Sequence, residues 1–579
     1  MGRLRSYAWR YWRRYLLGAL CLLGTATLVM WIPWWIREAI KIIENGGSIR
    51  DVTWYAAIIA AAAVAQGIVR TCSRALIFNA GRDVEYDLRN DLFAHLEKLP
   101  LSFYHRQRTG DLMSRVINDI SAVRVMLGPG ILNFVNAPVY LVYAIALMLY
   151  MDVRLTLAAL VPFPFLIWAV AKFRGRVLKM SLEVQQQMSV LSSHVQENLS
   201  GIHVVKAYSQ EEFQIRQFAA LNEDFQAKSL ELARMRGIIT PVMQGFNALT
   251  VLIILWYGGI RVVRGDLLVA DIVAFIAYLN VLAWPTAAFG WMLSLVERGR
   301  AAMKRLEEIL KIEPEIASPP APLPIARLRQ GIEFRDVSFG YQRQQNGHPA
   351  LEKINFSLPV GKSVGLVGRI GSGKSTLAQL VPRMFDVSSG AILLDGTDIR
   401  KFSLRDLRRT LGYVPQDPFL FSTTLKRNLA FGRDVVSDGE LEDAVAVARL
   451  DRDLEIFPQG LETIVGERGV TLSGGQKQRA TLARALIMDP PVLILDDCLS
   501  SVDAQTESEI LQRLKTILKQ KTCLIISHRI SAVKDADEIL VLDEGKIIER
   551  GNHEELVRRG GVYADIYEQQ QLTEEIEQI

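Results

Sequence analysis

The chain has 579 residues, more than one typical domain, so we expect at least two hydrophobic cores. Half of its residues are hydrophobic. We attribute the net charge of +5 to arginines that flank membrane segments, so the charge does not require a nucleic-acid-binding surface. Four cysteines without paired spacing argue against a metal site or a disulfide framework: Cys21, Cys72, Cys498 and Cys523.

Six apolar stretches in the first half each approach the roughly 20 residues that a helix needs to cross a bilayer. They lie at residues 15–36, 54–78, 131–150, 155–173, 241–260 and 272–296. Because so many recur within one half, we interpret them as membrane spans and not as buried helices of a soluble protein. Arginines precede the first span, so the positive-inside rule predicts a cytosolic N-terminus, and six spans return the C-terminus to the cytosol. The first span is predicted to be a retained anchor, since it is too long for a signal peptide.

The connections between the spans are unequal in length. Those on the predicted outer side are short, whereas the inner connections at 79–130 and 174–240 are long and helical in pattern. We therefore expect the membrane helices to continue into the cytosol as stalks. Five prolines then predict an extended linker at 311–330, and from Gly331 onward short β-type runs alternate with helical patterns. The predicted domains are residues 1–310, the linker 311–330, and a mainly parallel α/β domain at 331–579.

The stretch GRIGSGKST has the spacing and the context of a phosphate-binding loop, because it follows a β-type run and opens a helical one. Its glycines would let backbone N–H groups close around phosphate oxygens at a helix N-terminus. Lys374 is predicted to bridge the β- and γ-phosphates of ATP, and Ser375 to hold Mg²⁺. All nine residues are expected to contact the nucleotide: Gly368, Arg369, Ile370, Gly371, Ser372, Gly373, Lys374, Ser375 and Thr376.

Two further motifs lie in the same domain. The run VLILD ends a predicted buried strand at Asp496, which is placed to bind Mg²⁺. The stretch LSGGQKQR at 472–479 has the composition of a second anion-binding helix start. Its candidate residues are Ser473, Gly474, Gly475 and Gln476. The phosphate-binding loop at 368–376 does not explain why the same domain carries a second anion-binding motif at 472–479.

Together these motifs resemble the ATP-binding cassette (ABC) superfamily, and specifically the exporter half-transporters. The resemblance covers nearly all of the chain. It implies a multidomain membrane protein in which a six-helix transmembrane domain of the type I exporter (type IV ABC) fold precedes an α/β P-loop nucleotide-binding domain. It also implies a dimer of two head-to-tail cassettes, with each ATP between the P-loop of one chain and the LSGGQ motif of the other.

The resemblance assigns expected roles to further residues. Tyr341 resembles the aromatic residue that stacks on adenine, and Gln416 the glutamine that senses Mg²⁺ and the attacking water. Asp503 resembles the aspartate that communicates across the dimer, and His528 the switch histidine near the γ-phosphate. The stretch at 463–469 resembles an exporter loop that touches the stalks. The segments 103–120 and 204–218 resemble the two coupling segments, although their charge alone is also typical of solvated helices.

Asp497 departs from the family pattern, in which Glu follows the metal aspartate and polarises the attacking water. A carboxylate withdrawn by roughly 1 Å is expected to lose about a hundredfold in hydrolysis. The alternative is that a small backbone shift lets Asp497 serve as a slower base. The LSGGQ motif is intact, so we predict a non-identical partner half-transporter that carries the catalytic Glu.

The predicted function is ATP-driven export of hydrophobic, lipid-like or peptide substrates by a multi-pass protein of a bacterial inner membrane. Alternatives are a homodimeric lipid flippase or drug exporter, an importer on the same fold, and a regulatory ABC membrane protein without transport. A soluble DNA-repair ATPase is disfavoured by the six spans. Arg70 and Arg74 in the second span favour anionic or peptide cargo, or else extend to the cytosolic surface.

Overall fold

The computed structural model describes residues 2–325, 327–341, 349–433, 435–466, 469 and 471–577. The chain divides into two compact units. The first contains Met1–Ala94 and Gly110–Lys311, and the second contains His95–Thr109 and Ile312–Ile579.

The secondary-structure elements described in the first unit are all helices. Several long helices continue well beyond the apolar stretches, in keeping with the long helical connections predicted at 79–130 and 174–240. The helices are α1 (Gly2–Arg10), α2 (Trp12–Glu44), α3 (Ile49–Leu96, whose end lies in the second unit), α4 (Leu101–Arg106, in the second unit), α5 (Thr109–Ser114), α6 (Ile120–Val125), α7 (Ile131–Met151), α8 (Val153–Leu160), α9 (Pro162–Ser200), α10 (Ile202–Ala207), α11 (Glu211–Ile253), α12 (Gly259–Val263) and α13 (Val269–Leu310).

Apolar segments long enough to cross a membrane coincide with four of the six predicted spans. Within the described residues these are Trp12–Glu44, Ile49–Leu96, Thr109–Met151 and Gln244–Val263. Shorter apolar helices at Val153–Phe165 and Val269–Leu282 match the start of the other two. Several side chains of the predicted spans 155–173 and 272–296, including all those at 283–290, lie outside the described residues.

One segment of the predicted transmembrane domain packs with the second unit. Residues 95–109 group with the second unit, although the sequence places all of 1–310 in the first domain. The physical reason is apolar packing by the short helix α4: Phe103 is buried, and Leu101 packs against a core cluster of the second unit. The ring of His105 lies 6.0 Å from that of Phe385 in the same unit.

The second unit contains two sheets. The four-stranded sheet has the order β2-β1-β4-β5, and its paired strands are antiparallel. The six-stranded sheet has the order β10-β9-β3-β8-β7-β6 and is parallel except for β10. The strands are β1 (Gly331–Phe339), β2 (Leu351–Pro359), β3 (Ser363–Gly368), β4 (Ser389–Leu394), β5 (Thr397–Asp398), β6 (Leu411–Val414), β7 (Val492–Asp496), β8 (Thr522–Ile526), β9 (Glu538–Asp543) and β10 (Lys546–Gly551).

Burial explains why the two sheets differ. Strand β7 is buried throughout, and its alternate residues enter two different core clusters, so both faces of the parallel sheet are covered. Strand β1 instead has exposed positions, as expected for an antiparallel strand with one solvated face. The prediction of a mainly parallel sheet therefore describes the six-stranded sheet and not the four-stranded one.

Helices pack around these sheets and place the loops that matter for function. They are α14 (Lys374–Leu380), α15 (Leu404–Arg409), α16 (Leu425–Leu429), α17 (Asp438–Val447), α18 (Asp451–Ile456), α19 (Gly474–Ile487), α20 (Ala504–Leu518), α21 (His553–Arg559) and α22 (Val562–Glu577). Strands β3, β8 and β7 are parallel neighbours, so their carboxyl ends meet at one edge of the sheet. That edge carries the loops that begin after Gly368, Ile526 and Asp496.

Candidate nucleotide-binding site

The backbone of the loop between β3 and α14 adopts conformations that are accessible to glycine and not to residues with a side chain. Gly368 and Gly373 have φ of +151° and +101°. A Cβ at Gly368 would lie 2.0 Å from the carbonyl oxygen of Leu542, and one at Gly373 would lie 2.6 Å from that of Ala350. Both positions therefore exclude a side chain, and the loop keeps the tight curve that a phosphate-binding loop requires.

Lys374 is the first residue of α14, and its side chain reaches back to this loop. Its ammonium donates hydrogen bonds to the carbonyl oxygens of Gly368, at 2.9 Å, and Arg369, at 2.8 Å. Burial lowers the pKa of Lys374, and the nearby carboxylates of Asp497 and Asp496 oppose that change. A buried positive charge enclosed by backbone is suited to an anionic ligand such as a phosphate chain.

Asp496 ends strand β7 beside the phosphate-binding loop. Its carboxylate accepts hydrogen bonds from Ser375 Oγ at 3.0 Å and, more weakly, from Tyr413 Oη at 3.5 Å. Burial raises the pKa of Asp496 to about 6, and the charge of Asp497 adds to the rise against the opposing effects of Ser375, Tyr413 and Lys374. A buried carboxylate beside a hydroxyl offers the hard oxygen ligands that Mg²⁺ prefers, and a cation would compensate its charge. The residues present therefore fit Mg²⁺.

Asp497 and His528 face each other at the same edge of the sheet. Asp497 Oδ2 lies 3.9 Å from His528 Nε2, and Oδ1 lies 3.4 Å from the backbone nitrogen of His528. Burial lowers the pKa of His528, Lys374 lowers it further, and Asp497 opposes the change. The lowered pKa favours the uncharged form of the imidazole.

Tyr341 closes the opposite side of the site. Its hydroxyl is 3.0 Å from Thr376 Oγ1, and its ring packs edge-on against Phe339 and Phe385 at centroid distances of 4.9 and 5.4 Å. The ring borders a cavity of about 710 Å³, within the usual size range of small-molecule sites. Nine predicted residues line this cavity: Tyr341, Ile370, Gly371, Gly373, Lys374, Ser375, Thr376, Gln416 and His528.

The LSGGQ residues are placed elsewhere, at the start of helix α19. Ser473 Oγ accepts a hydrogen bond from Gln476 N at 3.2 Å, and Gln476 Oε1 accepts one from Ser473 N at 2.8 Å, which is a capping box. A Cβ on Gly474 or Gly475 would lie 3.4 or 3.0 Å from atoms of Ser501. Within the described part of the chain, none of these four residues lines the cavity around Lys374.

Asp503 caps helix α20, since its Oδ1 accepts a hydrogen bond from Thr506 N at 2.9 Å. The pKa of Asp503 is lowered, mainly because of this hydrogen bond. The structure therefore divides the predicted residues into two sets, one around the cavity and one at the starts of α19 and α20. The predicted stalk-contacting loop at 463–469 lies partly outside the described residues.

Two residues join the site that sequence reasoning missed. Tyr413 reaches Asp496 from strand β6. Gln478 is buried, donates to Ser500 Oγ at 2.8 Å and accepts from Ser501 N at 2.8 Å, so it fixes the loop before Asp503 to helix α19. The only sequence signal for Gln478 is its place two residues after the LSGGQ motif.

Comparisons with known proteins agree with this architecture. The family described as "ABC transporter transmembrane region" matches residues 15–286, and the family described as "ABC transporter" matches residues 351–500. A structure described as a bacterial Atm1-family ABC exporter with ATP bound aligns with a TM-score of 0.78 at 28% identity, over 96% of this chain and 98% of its own.

Three curated relatives match along almost their whole length. The chain is 36% identical to the probable multidrug resistance ABC transporter ATP-binding/permease protein YheI of Bacillus subtilis, over 98% of each chain. It is also 36% identical to the multidrug resistance-like ATP-binding protein MdlA of Escherichia coli, over 99% of this chain and 96% of that one. It is 31% identical to the ATP-dependent lipid A-core flippase of Syntrophus aciditrophicus, over 98% and 94%. The chain therefore belongs to the ABC transporter family, as a membrane-integral exporter that carries its transmembrane region and its ATP-binding domain on one polypeptide.

Proposed function

We propose that this chain is the weakly hydrolysing subunit of an exporter built from two non-identical ABC half-transporters. The observation that carries the proposal is Asp497, a buried carboxylate that follows the metal-type aspartate Asp496 where a glutamate is the usual base. The shorter side chain stands about 1 Å farther from a terminal phosphate, and a displacement of that size is enough to lose about a hundredfold in rate.

The surrounding backbone supports this reading over a compensating shift. Asp497 N donates to the carbonyl oxygen of Ile526 at 2.8 Å, and Asp497 O accepts from Ser500 N at 3.3 Å. Its φ is +47°, a left-handed conformation that few non-glycine residues adopt. A residue fixed on both sides in this conformation has little freedom to move its carboxylate forward.

The two ATP sites of the pair would then differ in their capacity to hydrolyse ATP. The P-loop side of this chain binds ATP through Lys374, with Tyr341 against the adenine, and hydrolyses it slowly at Asp497. Mg²⁺ held by Ser375 and Asp496, with Gln416 nearby, would neutralise charge on the terminal phosphates. The intact LSGGQ residues of this chain complete the site of the partner, whose glutamate supports hydrolysis. Asp503 communicates across the dimer, and His528 acts as the switch histidine near the γ-phosphate.

Export follows because ATP binds one of two conformations of the dimer more tightly than the other. Two ATP molecules favour the closed pair of cassettes and an outward-open cavity, and hydrolysis at the stronger site restores the inward-open state. We place the protein in a bacterial inner membrane with both termini in the cytosol, and divide it into a transmembrane domain at 1–310, a linker at 311–330 and a nucleotide-binding domain at 331–579.

The proposed cargo is a hydrophobic or lipid-like molecule with an anionic group. The named relatives include multidrug resistance proteins and a lipid A-core flippase. Arg70 and Arg74 are exposed and stand one turn apart on α3 within a membrane-spanning segment. Charged residues at membrane depth mark substrate pathways more often than lipid-facing surfaces.

Affinity purification from native membranes tests the pairing directly. We expect the tagged chain to recover a second ABC half-transporter at equal amount, with Glu at the position equivalent to Asp497. The recovered pair should hydrolyse ATP, and the chain purified alone should do so weakly. A homodimer of this chain with brisk ATPase activity that Asp497→Asn abolishes would overturn the proposal in favour of a homodimeric flippase or drug exporter.

A further inference from the structure

We propose that Gln570, on the C-terminal helix α22, is a positioning residue for His528. The inference rests on the proposed role of His528 at the nucleotide. The side-chain amide of Gln570 donates from Nε2 to the carbonyl oxygen of His528 at 2.6 Å, and its Oε1 accepts from the backbone nitrogen of Ile530 at 2.9 Å. One side chain thus holds the backbone at His528 itself and two residues beyond it.

The loop that carries His528 depends on such side-chain contacts. Strand β8 ends at Ile526, and a short 3₁₀ turn begins at Ile530, so the residues between them lie outside regular secondary structure. The backbone nitrogen of His528 makes a long hydrogen bond of 3.4 Å to Asp497 Oδ1. Backbone polar groups in a half-buried loop need partners, and here Gln570 supplies two of them.

Helix α22 is well placed to act as a fixed support. Tyr563 is fully buried in a core cluster, and Ile566 and Tyr567 pack against the same cluster. At the helix start, Glu549 accepts hydrogen bonds from Val562 N at 2.6 Å and from Tyr563 N at 3.3 Å. Because Gln570 lies one turn after Ile566 and Tyr567, it projects from the same side of the helix.

The neighbouring glutamines provide a comparison within the same helix. Gln569 is exposed, and Gln571 donates to Tyr567 Oη at 2.7 Å. Among these three consecutive glutamines, all within the described residues, Gln570 is the one that contacts the loop. The contact therefore follows from the position of Gln570 on the helix and not from a general polar surface.

A second support holds the other side of the loop. Glu507 of α20 is buried, pairs with Arg529, and accepts from Ser531 Oγ at 3.2 Å. Loss of the Gln570 amide therefore leaves the loop attached to α20 while freeing the backbone of His528. We expect altered placement of the imidazole near the terminal phosphate, with the phosphate-binding loop and the Tyr341 ring unchanged.

The test compares Gln570→Met with the matched control Gln569→Met in the full-length chain assembled with its partner. Methionine keeps the side-chain length and removes both hydrogen bonds. The first measurement is the ratio of the ADP dissociation constant to the ATP dissociation constant at this chain's site. Both constants are measured by displacement of a fluorescent ATP analogue. The assembly carries alanine in place of the partner's P-loop lysine, so that the analogue binds at this chain's site. Gln570→Met should lower the preference for ATP about tenfold, the effect of two ordinary hydrogen bonds, and ADP affinity should stay within twofold.

The second measurement uses an Asp497→Glu background, in which hydrolysis at this site is not limited by the short carboxylate. There, Gln570→Met should lower kcat about tenfold with KM within twofold, and Gln569→Met should change neither. Equal ATP preference and kcat for the two methionine variants would overturn the inference. Absence of hydrolysis in Asp497→Glu itself would count against the proposed function alone, because the binding ratio still tests Gln570.

Discussion

Asp497 and His528 are in contact through both the side chain and the backbone of the histidine, at 3.9 Å from Oδ2 to Nε2 and 3.4 Å from Oδ1 to N. These residues follow two adjacent parallel strands, β7 and β8, whose register pairs Asp496 with Ile526. The carboxylate is therefore oriented by the neighbouring loop as well as by its own backbone. This arrangement supports the proposal that local movement does not compensate for the shorter side chain at position 497.

Replacement of Lys374 by alanine should abolish ATP capture at this chain's site. The ammonium is the buried charge at the centre of the phosphate-binding loop, bonded to the carbonyl oxygens of Gly368 and Arg369. Photo-crosslinking of an azido-ATP analogue to each subunit of the pair measures the loss. The exposed Lys519→Ala is the control. Labelling of this subunit that equals wild type in Lys374→Ala would contradict the assigned role.

Replacement of Ser473 by alanine should lower the ATPase activity of the pair at least tenfold without changing ATP binding at this chain's own P-loop. The reason is that Ser473 starts α19 and does not line the cavity around Lys374 within the described residues. Steady-state ATPase and azido-ATP labelling separate the two effects.

The matched control is Ser437→Ala. Ser437 forms the same capping box at the start of α17, so its loss removes a comparable cap, worth about 1 kcal/mol. Equal loss of ATPase activity in both variants would show that helix capping, and not the contact with a nucleotide at the partner's site, explains the effect of Ser473.

The stability of the nucleotide-free chain should depend on pH through Asp496. Because the pKa of Asp496 is raised from 3.8 to about 6, the folded state binds the proton more tightly than the unfolded state, and stability falls as pH rises through that interval. The contribution is at most about 3 kcal/mol. Asp496→Asn should therefore reduce the drop in apparent Tm between pH 5 and pH 7.5.

Thermal unfolding in detergent, without added Mg²⁺, measures this difference. The exposed Asp417→Asn is the control, and it should leave the pH dependence as in wild type. A wild-type pH dependence in Asp496→Asn would contradict the assignment of the effect to that carboxylate.

Replacement of Arg70 and Arg74 together by glutamine should slow transport of an anionic amphiphile more than that of a neutral one. The two guanidinium groups stand one turn apart within a membrane-spanning segment, where an anionic group would compensate their charge. Uptake of paired fluorescent lipids, one with and one without a phosphate, into inside-out vesicles measures the ratio. Arg50→Gln, outside the predicted span, is the control. An unchanged ratio would indicate that both arginines only extend toward the membrane surface.

The sequence predicts the parts of the site that are contiguous motifs. GRIGSGKST covers the loop between β3 and α14, and VLILD coincides with β7, so their local pattern predicts the placement of Lys374 and Asp496. His528 was predictable only through the family resemblance, because a single histidine after an apolar run has no specific local signal. Its position beside Asp497 follows from the pairing of β7 with β8.

Other features depend on distant contacts and could not be predicted in this way. Tyr413 and Gln570 reach the site from β6 and from the last helix, and no local sequence pattern predicts either contact. The grouping of 95–109 with the second unit depends on packing by Leu101 and Phe103, whose apolar character alone is equally typical of a helix in the first unit.

Single-turnover hydrolysis at this chain's own site is the most direct test of the unequal pair. The assembly should carry a Gln in place of the partner's catalytic Glu, so that only the site with Asp497 can contribute. We predict slow hydrolysis in this assembly and an increase of about a hundredfold on Asp497→Glu, because the longer side chain restores the position of the base. Hydrolysis with Asp497 that is already as fast as with Glu would contradict the central claim.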